Sequence, residues 1–369
     1  MPLFALYEKP GNANMERPIF KPLGTPVEEL DTPALVVDSD LLEQNLSTVH
    51  TFFQRSDTKL RPLVSAHCCP ALAHKQLAAG GTVGGIAVTT LGQAEVFVTH
   101  GFRDVLIANV LITPAKLRRL CALARQATLM VAVDHLSQVS WLAEAAASQQ
   151  ASLHVVIDVD TGANRCGIAP GTPALQLAQA VDQAPHLTLM GLMTTATSAT
   201  LQPLLETRGE LERAGLPVRT VSVGGRATYE EIARLDGVTE VCTGTYALMD
   251  ARHRQALPNL HAAARVLTTV TSRPQPDTAI TDSGQKAVGV DLGLPTLADF
   301  PHSEVVGLSA EHCRLRLDEQ TASALNPGDK IWLTPWDMDT CVNLYDNLYV
   351  ARQGKLDFVW SVAARGRYR

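Results

Sequence analysis

Between residue 33 and about residue 265, short apolar runs alternate with amphipathic stretches, and this rhythm restricts the fold more than any other feature. ALVVD (34–38) reads as a strand and LLEQNLSTVHTFFQR as the helix after it. RPLVSA (61–66) reads as the next strand, followed by PALAHKQLAAGG, a helix stopped by glycine. GGIAV, VLIAN, LMVAVD, LHVVIDVD, LTLMGLMT, TVSVGG and EVCTG continue the series, each leading into a helical pattern or a helix start. Strands alternating with helices specify a parallel sheet, and about eight units predict an α/β fold, a (β/α)8 TIM-like barrel, rather than an open doubly wound sheet. ALVVDSD carries no glycine-rich turn, which argues against a dinucleotide-binding fold.

After about residue 265 the period changes. RVLTTVTSRPQPDTAITDSG, SEVVGLSAEHCRLRL, KIWLTPWD and LYVARQGKLDFVW are β-rich runs separated by Pro, Gly and Asp turns, so a C-terminal β domain is expected. The expected boundaries are an N-terminal segment 1–32 packed on the β domain, a barrel over 33–265, and the β domain over 266–369.

Composition narrows the function. With 46% hydrophobic residues among 369, a full-sized core can be buried, and only 18% charged residues argues against long disordered tails. Net charge is −6 and no Lys/Arg run exceeds two, so no nucleic-acid partner is expected. MPLFALYEKPGNANMERPIF is broken by Glu8, Lys9 and Pro10, unlike a signal peptide or a membrane span. Seven scattered cysteines without a Cys-x-x-Cys pair read as reduced thiols in the cytoplasm. These features describe a cytoplasmic enzyme acting on a small molecule, with no membrane partner.

Seven segments then fall in a recognisable order: LDTPALVVD, RPLVSAHCCP, VIDVDTGANRCGI, VSVGGRATY, TGTYALMD, GDKIWLTPWDMDTCVNLYD and VWSVAARGR. Together they resemble the metal-activated pyridoxal-phosphate enzymes of the D-threonine aldolase and D-serine dehydratase type. The resemblance implies a barrel of the alanine racemase N-terminal type, a β domain carrying the metal, and a homodimer. Where the family reads Arg-Pro-His-x-Lys-Thr-His-Lys, this chain reads Arg61-Pro62-Leu63-Val64-Ser65-Ala66-His67-Cys68. Ser65 stands at the Schiff-base lysine, and a hydroxyl cannot form an imine. Lys59, upstream on the strand, and Lys75, in the following helix, do not replace it. Pyridoxal phosphate as an internal aldimine is therefore not expected. A second departure is Thr194-Thr195-Ala196, where the family carries a Tyr and often Glu-Gly-His.

The resemblance places an anion cradle at Gly224, Gly225 and Arg226 with Gly244 and Thr245, refitted here for substrate, and Arg165 where an arginine faces the cofactor ring. It places a metal site at the segment Pro335–Asn343. Asp337 and Asp339, spaced i, i+2, share a face if the chain is extended, and two carboxylates favour Mg²⁺ or Mn²⁺ over Zn²⁺. His312 is the third candidate ligand. His67, Ser65 and Arg165 are the candidate catalytic residues, with His67 moving a proton. Cys68 and Cys69 read as packing residues, Asp158 and Asp160 as partners of Arg165 that order its loop, and Lys286 as a surface residue.

The expected activity is a divalent-metal-dependent lyase, a retro-aldol enzyme for a hydroxyketone or hydroxy-oxo acid that uses no internal aldimine. Two alternatives stand beside it: a pyridoxal-dependent D-3-hydroxy-amino-acid aldolase or dehydratase, and a non-catalytic ligand-binding relative.

Overall fold

The computed structural model describes residues 21–225 and 229–369. After β1 (Ala34–Asp38) and α1 (Ser39–Arg55), eight parallel strands follow: β2 (Lys59–Pro62), β3 (Ile86–Val88), β4 (Asp104–Val110), β5 (Thr128–Val133), β6 (Leu153–Asp158), β7 (Leu187–Thr195), β8 (Thr220–Gly224) and β9 (Glu240–Thr243). Helices α2 (Pro70–Ala78), α3 (Leu91–Thr99), α4 (Pro114–Ala124), α5 (Leu136–Gln149), α6 (Thr172–Gln183), α7 (Gln202–Arg213) and α8 (Tyr229–Ala233) connect them. The strand order β2-β9-β8-β7-β6-β5-β4-β3 is closed by bridges Leu60–Thr82 and Leu63–Ala87, giving the expected barrel. Ala87, Leu106, Met130, Val156, Met193 and Cys242 fill its lumen, so the barrel is a packed core.

On the barrel floor, Arg61 of β2 donates from Nε and Nη2 to Glu240 (2.7 and 3.0 Å) and from Nη1 to Asp104 (2.8 Å). Arg61 and Glu240 are both buried, and their pairing holds the guanidinium pKa above its ordinary value despite desolvation. The opposite end, where the strands finish, is left for chemistry.

The C-terminal domain is a mixed sheet, as expected. It contains β10 (Ala264–Gln275), β11 (Thr278–Thr281), β12 (Thr296–Leu297), β13 (Glu304–Leu308), β14 (Cys313–Arg316), β15 (Lys330–Thr334), β16 (Asn347–Arg352) and β17 (Lys355–Ser361), with short helices α9 (Glu319–Ala324) and α10 (Met338–Val342). One boundary differs from the expectation. β1 belongs to this sheet and not to the barrel: it pairs antiparallel with β10 (Ala34–Leu267) and parallel with β16 (Val36–Tyr349). Its Ala-Leu-Val-Val run is fully buried, and such a run looks the same in a parallel barrel or at the centre of a mixed sheet. The barrel strands therefore begin at Lys59, and α1 carries the chain across from one unit to the other, with Asn45 Nδ2 donating to Ala247 O and His261 O (3.1 and 2.8 Å).

The described part of the N-terminal segment packs on the β domain: Gly24 N donates to Leu356 O (2.7 Å) and Val27 N to Gly354 O (2.9 Å). Residues 1–20 lie outside the described residues. All seven cysteines are free thiols, and only Cys166 is exposed. Among the described residues no helix is long and apolar enough to cross a membrane.

Candidate active site

The carboxyl ends of the barrel strands enclose a cavity of about 770 Å³, a size suited to a small ligand. β7 contributes Met193, Thr194 and Thr195; β8 contributes Ser222 and Gly224; the loop after β6 contributes Arg165; and the segment after β9 contributes Arg252 and His253. Among the described residues no lysine, aspartate or glutamate lines this cavity. Among the described residues Arg165 and Arg252 are its permanently charged groups, so it favours an anion.

Ser65 sits on a single 3-10 turn, Val64–Ala66, just past β2. Its Oγ donates to Gln93 Oε1 (2.7 Å) and accepts from Thr89 N (2.8 Å), so the hydroxyl is tied into the barrel wall. Among the described residues no lysine lines the cavity to supply an amine. Lys59 Nζ donates to Phe53 O (3.2 Å), Lys75 Nζ stands 5.9 Å from the Trp360 ring, and Lys286 is exposed and pairs with Glu311. Ser65 itself offers no amine for an imine at this position.

His67 is not a cavity residue, which corrects its expected catalytic role. It is 1% exposed, its Nδ1 accepts from Cys69 N (3.1 Å), and its Nε2 therefore donates to Gln76 Oε1 (3.0 Å). Gln76 Nε2 in turn donates to Tyr246 Oη (3.0 Å). Desolvation pushes the imidazole pKa down to about 4, so His67 stays neutral inside this network. Burial likewise raises the Cys68 thiol to about 12 and the Cys69 thiol to about 11, consistent with packing roles.

Arg165 does face the cavity, with Nη2 at 3.5 Å from Thr195 Oγ1. Its loop is ordered by Asp160, whose Oδ1 accepts from Gly162 N (2.9 Å) and Asn164 N (3.1 Å), and by Asp134, whose Oδ2 accepts from Gly167 N (3.0 Å). Asp158 lies buried beneath, and desolvation, reinforced by Asp134, lifts its carboxyl to about 6 although Arg165 opposes the shift.

The expected cradle divides in two. Gly224 and Gly225 line the cavity, beside the buried Ser222 hydroxyl, which has no hydrogen-bond partner among the described residues. Arg226 lies outside the described residues. Gly244 and Thr245 are not lining residues. A Cβ on Gly244 would come within 2.0 Å of Leu63 O, so that glycine serves close backbone packing, while Thr245 Oγ1 donates to Asp339 Oδ1 (3.3 Å).

The metal candidates are also rearranged. The chain turns helical at Met338, so Asp337 is the N-cap of α10, its Oδ1 accepting from Thr340 N (3.0 Å), and Asp339 lies in the first turn. The extended geometry expected for an i, i+2 pair is absent. His312 is exposed at the β13–β14 turn, and among the described residues no three His, Cys, Asp or Glu side chains gather to hold an ion. Asp337 Oδ2 approaches Nη1 of the cavity residue Arg252 to 4.0 Å.

Sequence reading missed Asp250 and His253. The signal was a carboxylate three residues before a histidine in ALMDARH, the carboxylate being the last residue of TGTYALMD, a segment already singled out. Segment 250–253 lies along the β domain: Ala251 N donates to Pro335 O (3.0 Å), Arg252 N to Trp336 O (3.3 Å) and Met338 N to Asp250 Oδ2 (3.1 Å).

Comparison with known proteins agrees with this architecture. Residues 37–250 match the alanine racemase N-terminal domain, and residues 263–351 match a serine dehydratase domain. The chain is 33% identical to a D-threonine aldolase of Arthrobacter sp over 362 residues, covering 93% of this chain and 95% of that protein. It is 30% identical to a 3-hydroxy-D-aspartate aldolase of Paracoccus denitrificans (strain Pd 1222) over 369 residues, covering 93% and 94%. The crystal structure of D-threonine aldolase from Filomicrobium marinum superposes with a TM-score of 0.90 at 32% identity, covering 94% of this chain and 99% of that one. With a racemase-type barrel, a dehydratase-type β domain and relatives aligned over nearly its whole length, the chain belongs to the D-threonine aldolase and 3-hydroxyaspartate aldolase/dehydratase family of lyases.

Proposed function

We propose that this chain is a lyase that cleaves a hydroxy-oxo acid by a retro-aldol reaction without forming an imine to a lysine of its own. The observation that carries the reading is the cavity lining, which holds two arginines and no lysine among the described residues. A substrate with its own oxo group next to a carboxylate has a built-in electron sink and needs no amine. Arg165 and Arg252 both line the cavity and bind the carboxylate, and this anion preference favours an oxo acid over a neutral hydroxyketone. The unpartnered Ser222 hydroxyl is placed to donate to a substrate oxygen. Thr194 and Thr195 hold the neighbouring wall, where Thr194 Oγ1 donates to Val159 O (2.7 Å). A divalent ion on Asp337 and Asp339 would supply Lewis-acid polarisation of an oxygen at the cavity edge.

The test is turnover of racemic 4-hydroxy-2-oxo acids and of D-3-hydroxy amino acids, each with and without Mg²⁺, Mn²⁺ and pyridoxal phosphate. Cleavage of the oxo acids without added pyridoxal phosphate is expected. Cleavage of the amino acids alone, and only with the cofactor, would overturn it. That second reading, cofactor bound non-covalently, is favoured by the survival of Gly224 and Gly225 beside an unpartnered hydroxyl. Ligand binding without any turnover would instead mark a non-catalytic relative.

A further inference from the structure

We infer that His253, held by Asp250, is the proton-transfer group of the cavity. Asp250 is fully buried and accepts three protein donors: His253 N at 2.7 Å on Oδ1, Met338 N at 3.1 Å on Oδ2, and His253 Nδ1 at 2.8 and 2.9 Å from its two oxygens. A carboxylate so held accepts from Nδ1, which fixes the proton there and leaves Nε2 as a bare lone pair. No hydrogen bond from the described residues occupies Nε2, and His253 lines the cavity beside Arg252. His67 shows the contrast: both of its ring nitrogens are satisfied and it reaches no cavity. The dyad also joins the two domains, since the Asp250 oxygen that receives the Met338 amide belongs to the barrel and the amide to the β domain.

The step rests on the hydroxy-oxo acid reading. The substrate hydroxyl gives its proton to Nε2, and its C–O bond becomes a carbonyl as the adjacent C–C bond breaks. The electron pair of that bond passes to the substrate's own oxo group as an enolate. The imidazolium then returns the proton to the enolate carbon, so His253 ends as it began. His253 serves as acid and base, and Asp250 is a positioning residue.

Two measurements test this. In protein labelled with ¹⁵N at histidine, NMR at neutral pH should show His253 with the proton on Nδ1, and Asp250→Asn should move that tautomer. A His253 carrying its proton on Nε2, or one unmoved by Asp250→Asn, overturns the assignment whether or not turnover is found. On 4-hydroxy-2-oxo acids, His253→Gln should lower kcat by roughly 10²- to 10⁴-fold with little change in KM or in melting temperature. Added imidazole should restore part of the activity of His253→Ala. Full kcat in His253→Gln overturns the inference while the proposed function stands, and absence of wild-type turnover with the expected tautomer overturns the function reading instead.

Discussion

Ser65 Oγ lies 2.7 Å from Gln93 Oε1 and donates its proton there, so the position where the family keeps its lysine is part of the barrel wall. The neighbouring Thr89 amide donates to the same hydroxyl at 2.8 Å, at the carboxyl end of the barrel strands. Ser65→Lys should therefore restore an amine to the barrel mouth. Incubation with pyridoxal phosphate followed by borohydride should add one reduced cofactor to the variant and none to the wild-type protein, read by mass spectrometry. Equal labelling of both would show that another lysine serves.

Asp337→Asn separates capping from ion binding. Asparagine caps a helix about as well as aspartate, so α10 should keep its stability to within about 0.5 kcal/mol. Losing one of two carboxylates should weaken Mn²⁺ binding at least tenfold, measured by calorimetry or by the free-ion EPR signal. Unchanged affinity would place the ion elsewhere.

Glu240→Gln leaves the Arg61 guanidinium buried with only Asp104 as a charged partner. Breaking a buried pair by removing one member typically costs about 3–5 kcal/mol, so thermal unfolding should occur several degrees lower. The cavity lies at the other end of the barrel, so binding of an anionic ligand to the folded protein should be unaffected.

His67 should make the protein acid-sensitive. Its pKa is lowered from 6.5 to about 4 in the folded state, so below pH 6.5 the unfolded chain binds a proton that the folded chain refuses. Stability from this ring is complete above about pH 6.5 and is lost as pH falls toward 4, by about 3 kcal/mol in all. Asp158 runs the other way. Its pKa is raised to about 6, so its contribution is present below pH 3.8 and is lost as pH rises through 6. Comparing denaturation of wild type and His67→Gln from pH 4 to 7 isolates the histidine, and identical pH dependence in both would refute the assignment.

The sequence by itself determined the barrel and its β-domain partner, and it puts a serine, Ser65, in the segment after β2. Strand and helix periods are local properties, and a serine has no imine chemistry in any fold. The placement of β1 was not local, because a fully apolar strand carries no mark of which sheet buries it. The His67 role failed for a related reason: a histidine beside a motif does not reveal whether water reaches its ring, which here is buried and bonded to Gln76, itself tied to Tyr246. The i, i+2 argument for Asp337 and Asp339 assumed an extended chain, and the cap on Thr340 turned it helical. Asp250 and His253 are near neighbours in sequence, but it is the joining of segment 250–253 to residues 335–338 that buries Asp250 behind a His253 lining the cavity. Chain pattern specifies elements, whereas a site depends on which side chains distant elements bury, pair or leave facing a cavity, and that is decided by tertiary packing.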